Sequence, residues 1–260
     1  MRFHYLPKPA VAVLALFFGL AFLAPAPFTM IAPSKAQPIF PTLLSYKDKS
    51  LTHPTRGNFY LLSIAITDPD AFIPGVAYLG GWIKGDAVVI PRSVIFPPDK
   101  SFKEVQAINK KDMRQSQNVA AKVALNYVER YFPENFVAQK PRYEDVNFDV
   151  QKTGGPSAGL VFALSLIDLL TQEDLLQDRK IAATGTISTG GFIGAIGGVQ
   201  EKLISVKRAG AEIALIPRDN CLDISKPPRG IKVIPVTTLD EAVRVLLGQQ
   251  AAKTCTNLSP

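Results

Sequence analysis

Histidine is nearly absent from this 260-residue sequence: there are two, His4 in an apolar N-terminal segment and His53 in a stretch rich in Pro, Ser, Thr and Lys. That scarcity removes whole classes of chemistry. There is no H-E-x-x-H and no Cys/His cluster to hold zinc. Cysteine is as sparse, with Cys221 and Cys255 alone and no C-x-x-C spacing of a metal or redox site. An oxidising compartment would let the two pair; two unpaired thiols is the other reading, because their separation in space is not written in the sequence. No G-K-[ST] closes a phosphate loop, and the glycines at 190, 191, 194, 197 and 198 do not form G-x-G-x-x-G. No cofactor and no metal are expected. The net charge is +7, but no Lys/Arg run is interleaved with aromatics, so a nucleic-acid partner is not expected either.

What is present begins with a leader. Arg2 and Lys8 precede "AVAVLALFFGLAFLA", an uncharged apolar run over residues 10–24, the pattern of an export signal. Ser34 and Ala36 make a small-x-small cleavage site; uncleaved, the same segment would serve as a membrane anchor, although Pro25 and Pro27 interrupt it. Removing residues 1–36 takes away three basic residues and no acidic one, so the net charge falls from +7 to +4. Residues 1–36 are therefore read as signal peptide or signal anchor, and 37–56 as a linker.

The rest reads as a mixed fold. "GNFYLLSIAIT" (57–67) and "DAVVIP" carry strand signatures, and the segment between Pro97 and Tyr131 has helical spacing, with Val119, Val123, Tyr127 and Val128 on one face. Pro133 ends it. Beyond it, strand and helix patterns alternate: "VNFDV", then a buried helix "SAGLVFALSLIDLLT", strand "KIAATGTIS", a glycine-rich turn, helix "VQEKLISVKRAG", strands "EIALIP" and "KVIPV", and helix "TLDEAVRVLLG". Gly210 and Gly248 stand at helix C-cap positions. This order predicts an α/β (α+β) fold, with an N-terminal α+β segment at 57–135, a main domain at 140–250 and a tail at 251–260.

The chemistry concentrates in "KTGGPSAGLVFAL". Ser157 sits between glycines at the mouth of an apolar helix, a position that suits a nucleophile, and a hydroxyl attacks only when something takes its proton. "GPSAG" satisfies the G-x-S-x-G elbow of α/β-hydrolases, yet those enzymes place their histidine after the serine, and here none follows. The remaining base is lysine with a pKa lowered by burial. Lys202 is best placed, in the first turn of a helix where the N-terminal partial charge disfavours an ammonium, among Ile196, Val199, Leu203 and Ile204. Taken alone, a lysine on an amphipathic helix is more often a solvated surface charge.

"GGPSAGLVFAL", "AATGTISTGGFIGAIGGVQEKLISVKRAGAE" and "ALIPRDNC", in this order over residues 146–247, resemble the proteolytic domain of the Lon protease family. The resemblance implies a Lon proteolytic domain-like two-layer fold and a Ser-Lys dyad of Ser157 and Lys202. Thr184 would steady the lysine, with Gly155, Pro156 and Ala158 around the nucleophile. The leader, "GNFYLLSIAIT" and "DMRQSQNVAAKVAL" further resemble an exported or membrane-anchored Lon-like group. Only some 20 residues, "RYFPENFVAQKPRYEDVNFD", lie between the last of these blocks and the peptidase pattern, too few for the PDZ module typical of that group. The ATPase module of cytoplasmic Lon is not seen either. Two positions depart from the family: Gly154 stands where full-length Lon has an acid three residues before the serine, and Thr186 replaces the acid of T-G-E.

The resulting expectation is an ATP-independent exported serine endopeptidase acting on peptides or proteins. By resemblance it would assemble as a hexamer, and it would meet the membrane through its N-terminal segment if that is uncleaved. Its location would be periplasmic, secreted or on the outer face of the cytoplasmic membrane. The rival reading is a catalytically silent Lon-like scaffold; a minor one is a protein that cuts only its own "APSKAQPIFPTL".

Overall fold

The computed structural model describes residues 7–24, 26–85, 87–136, 140–151, 153–225 and 227–255. Arg2, His4 and Pro25 of the leader, Lys152 of the serine motif and residues 256–260 of the tail lie outside the described residues. The chain divides into two compact units, Met1–Ala32 with Ala65–Phe102, and Pro33–Ile64 with Lys103–Pro260.

The smaller unit starts with helix α1 (Lys8–Leu23), which carries no acidic residue. Its sheet has the order β5-β1-β6, formed by β1 (Phe28–Pro33), β5 (Ile64–Ile66) and β6 (Val88–Pro91). β1 is central and runs antiparallel to β6, Thr29 opposite Ile90 and Met30 opposite Val89. Helix α2 (Gly75–Lys84) covers "GVAYLGGWIK" and ends where Gly85 takes a left-handed φ of 68°. Neither β1 nor α2 is visible in the hydropathy pattern, which merges β1 into the leader and assigns no element to "GVAYLGGWIK". The short helix α3 (Arg92–Ile95) closes the unit.

The larger unit is built on a five-stranded sheet of order β12-β11-β8-β4-β2: β2 (Gln37–Pro38), β4 (Asn58–Leu61), β8 (Lys180–Ala183), β11 (Ile213–Pro217) and β12 (Lys232–Val236). β12, β11, β8 and β4 run parallel to one another, and β2 is an antiparallel edge. The chain is a mixed α/β protein, as its alternating patterns predict.

Alternation along the strands sends side chains to two cores. Ile213 and Leu215 join Phe59, Leu61 and Ile181 beneath α4 (Phe102–Tyr131), α5 (Gly159–Leu170) and α7 (Leu239–Leu246). Ala214 and Ile216 face the other way, onto Val199, Leu203 and Val206 of α6 (Val199–Ala209). Parallel strands covered on both faces are apolar throughout, which is why all five residues of β11 are buried.

Two small ribbons complete the unit. β3 (Leu44–Tyr46) pairs with β7 (Val146–Phe148), and β9 (Thr186–Ile187) with β10 (Ile193–Gly194). The stretch 37–56, read from composition as a linker, carries β2 and β3 and buries Ile39, Leu44 and Tyr46. Pro41 and Thr42 lie in the turn between the two strands. Tyr46 fixes the stretch further, accepting from Arg142 N at 2.7 Å.

Candidate active site

Ser157 lies on the loop that joins β7 to α5, and that loop is fastened from both sides. Helix α4 holds one side: Gly155 N donates to Asn109 O at 2.8 Å, and Ser116 Oγ donates to Pro156 O at 2.9 Å. The end of β8 holds the other. Gly185 N donates to Ser157 O at 2.8 Å, and Leu160 N donates back to Gly185 O at 3.1 Å. Ala158, the N-cap of α5, is buried at 1% exposure, so the helix starts inside the core with the serine at its rim.

The approach of α4 explains the first departure from the Lon pattern. A Cβ added to Gly154 would stand 2.9 Å from Asn109 Cβ, closer than carbon atoms tolerate, so no acid fits there without moving helix or loop. Thr186 lies in β9 opposite Gly194.

Lys202 reaches the serine from the opposite face of the sheet. It is the fourth residue of α6, and the chain enters that helix through Gly198, whose φ of 66° and close approach to Ile64 exclude a side chain. Asn220 secures this entry: its Oδ1 accepts from Ile196 N at 3.0 Å and its Nδ2 donates to Ile196 O at 2.9 Å. The neighbouring Cys221 is bonded to Cys255, with 5.2 Å between their Cα atoms. The pairing left open by the sequence is therefore present.

At the centre, Lys202 Nζ stands 2.9 Å from Ser157 Oγ and 3.3 Å from Thr184 Oγ1. Thr184 is fully buried, and its hydroxyl donates to Ser157 O at 3.1 Å. Its single proton is thus committed to that carbonyl, and its lone pairs remain for an N–H of the lysine. A neutral amine has two protons and one lone pair; with one proton on Thr184, the lone pair can face the serine hydroxyl. Lys202 is 3% exposed, and burial lowers its pKa from 10.5 to about 8, against the opposing pull of Glu201 beside it.

The structure thus brings Ser157, Lys202 and Thr184 together, with Gly155, Pro156 and Ala158 on the same loop. Among the described residues no imidazole reaches the dyad: His53 lies with Asp168 and Thr171 around a cavity of about 210 Å³, at the far end of α5, roughly 16 Å from the serine by helix rise. No motif in the sequence singles out Asn109, Ser116 or Asn220. Among the described residues no group of three or more metal-ligating side chains converges.

The sequence matches a known family. The profile of the Lon protease (S16) C-terminal proteolytic domain matches residues 95–249. The Lon protease of Clostridium beijerinckii is 33% identical over 137 residues, covering 50% of this chain and 17% of that protein. The Lon protease of Neorickettsia sennetsu is 27% identical over 180 residues, 68% of this chain and 21% of its own. For the mitochondrial Lon protease homolog of Drosophila melanogaster the values are 30% over 151 residues, 56% and 15%. The chain therefore spans about a fifth or less of these relatives' length. The matched segment takes in α4 as well as both faces of the sheet, so the helix that clamps the serine loop is part of the same domain. With more than half of its residues inside that match, the chain belongs to the Lon protease (S16) C-terminal proteolytic domain family.

Proposed function

We propose that this chain is an ATP-independent, exported serine endopeptidase that cleaves peptide bonds with a Ser157–Lys202 dyad. The observation that carries the reading is the 2.9 Å contact between the serine hydroxyl and an amine that is 3% exposed. The lone pair of neutral Lys202 takes the proton from Ser157 Oγ as that oxygen attacks the scissile carbonyl carbon. The negative charge on the carbonyl oxygen meets backbone N–H groups at the start of α5. Leu160 N is not one of them, since it already serves Gly185 O; the amides of Ala158 and Gly159 are the nearer donors along the chain. The lysine ammonium then protonates the leaving amine, and the neutral amine it regenerates activates water for release of the acyl group. Thr184 keeps the lysine in one rotamer throughout.

ATP independence rests on the lack of any phosphate-loop motif in these 260 residues, and export on the charge and hydropathy of residues 1–24. A hexameric assembly rests on family likeness alone. Substitution tests the dyad directly: Ser157→Ala and Lys202→Met should each abolish cleavage of a fluorogenic peptide while leaving the circular dichroism spectrum native. Wild-type turnover in either variant discards the dyad. Complete inactivity of the folded wild type on peptides, with no active-site acylation, would favour the silent scaffold.

A further inference from the structure

Strand β1, which the leader pattern would assign to a discarded signal, is the middle strand of the smaller unit. Besides its ladder to β6, it is pinned by side chains. Thr29, 1% exposed, donates from Oγ1 to Thr67 O at 3.2 Å, and Thr67 N donates to Met30 O at 3.0 Å. Tyr78 Oη of α2 donates to Phe28 O at 2.8 Å. Met30 also packs so closely on α2 that a Cβ on Gly81 would meet its sulfur at 2.5 Å. Cleavage after Ala36 would remove this strand and leave β5 and β6 without a partner between them.

The same unit exposes apolar surface that water does not suit. Residues 11–18 of α1 are exposed at every position, and at 100° per residue eight consecutive positions sweep the whole circumference. Val11, Leu16, Phe17 and Phe18 are each more than half exposed. A second copy of the chain would cover one face of such a helix and leave the others wet, whereas acyl chains cover all of them. On α2, Val76, Leu79 and Ile83 form an exposed stripe at helical spacing, opposite the buried Tyr78, with Trp82 beside it at 68% exposure and Lys84 following. α2 packs against α1, and Gly75 N donates to Ala24 O at 3.2 Å. An indole followed by a lysine at the edge of an apolar patch is the composition of a membrane–water boundary. No helix among the described residues is long and apolar enough to cross a membrane by itself.

We infer that residues 7–32 and 65–102 form a bilayer-docking module that keeps its N-terminal helix, with α1 among the acyl chains and Trp82 at the headgroup level. The inference rests on the export reading only in placing the module on the outer face. Retention of the leader is then a folding requirement of the unit.

Trp82 is the sole tryptophan, so the full-length chain reports its own depth. The active-site variant Ser157→Ala, purified with its leader and reconstituted into phosphatidylcholine/phosphatidylglycerol vesicles, should show Trp82 emission quenched more by a nitroxide at acyl position 5 than at position 12, and shielded from aqueous iodide. Mass spectrometry of the protein from cells should place the mature N-terminus at or before Lys8, the first residue of α1, and a terminus between Leu23 and Phe28 overturns the inference. An N-terminus at Gln37 on a folded, soluble protein overturns the inference, and so does iodide quenching of Trp82 in a chain that merely self-associates through α1. Export is read separately, by protection from protease added outside intact cells: a retained, bilayer-embedded but cytoplasmic chain sinks export and leaves the docking module standing, whereas a secreted, trimmed chain does the reverse.

Discussion

Ser116 Oγ donates to the carbonyl oxygen of Pro156 at 2.9 Å, which ties the middle of α4 to the residue just before the nucleophile. One hydrogen bond of this kind is worth about 1 kcal/mol, small for folding but applied to a loop whose serine must keep its distance from a lysine held on another element. Ser116→Ala should lower kcat roughly fivefold with KM nearly unchanged, by that same energy expressed as a rate, and Ser116→Thr should restore most of it. Steady-state kinetics on a fluorogenic peptide measure both; a loss confined to KM would mean that Ser116 acts on substrate binding instead.

The depressed pKa of Lys202 makes two linked predictions. Activity should rise with pH through a midpoint of about 8, because only the neutral amine accepts the serine proton. Stability should carry a mark of the same burial and in the same direction. Below pH 8 folded and unfolded chains both hold the proton, and the folded chain bears the full cost of a buried ammonium. Between about 8 and 10.5 the unfolded chain binds more protons, so stability climbs with pH and the cost is gone above 10.5. The shift from 10.5 to about 8 amounts to on the order of 3 kcal/mol. Lys202→Met should therefore be inactive yet raise the melting temperature at pH 7, with the gain fading toward pH 10.5; a variant that melts lower at every pH contradicts the account.

How far the site could be read from sequence follows from the kinds of residue that make it. Ser157 stands out through its glycines, and Lys202 through the lack of any histidine that could replace it. Thr184 emerges only from the resemblance. Asn109 and Ser116 sit in "NKKDMRQSQN", a run so polar that it reads as the wet side of a helix; nothing in its periodicity tells that a loop some 40 residues later lies against it. Asn220 is hidden in the same way, since its partners are backbone atoms of Ile196. Strand β1 escapes because an apolar leader and an apolar strand look alike when adjacent, and α2 because three glycines in ten residues weaken its helix propensity, which tertiary packing overrides.

Asp168, near the C-terminal end of α5, offers a test of core electrostatics remote from catalysis. It is 4% exposed, its Oδ1 accepts from Leu175 N at 2.8 Å, and among the described residues Oδ2 has no partner. Burial raises its pKa from 3.8 to about 7. The unfolded carboxyl ionises first, so its contribution to stability falls as pH rises from about 4 to 7 and is level above that. Asp168→Asn keeps the acceptor for Leu175 and removes the charge. It should raise the melting temperature by several degrees at pH 8, corresponding to at most about 4 kcal/mol, and make little difference near pH 4. Equal effects at both pH values would show that the folded carboxyl ionises as readily as the unfolded one, and that burial does not raise its pKa.

The Cys221–Cys255 bond closes a loop of sequence separation 34, which in the chain-entropy picture stabilises by about 3–4 kcal/mol. Its position gives it a second consequence. Cys221 follows Asn220, whose two hydrogen bonds to Ile196 secure the turn that starts α6 and so sets Lys202. Reduction should lower the melting temperature in a differential scan, and Cys255→Ser should reproduce the shift. Peptidase activity at 25 °C should survive within a few fold, because the asparagine contacts remain, but it should decay at a lower temperature than global unfolding as the turn loosens. If dithiothreitol leaves both the melting curve and the inactivation curve where they were, the disulfide contributes neither to the stability of this unit nor to the placement of its lysine.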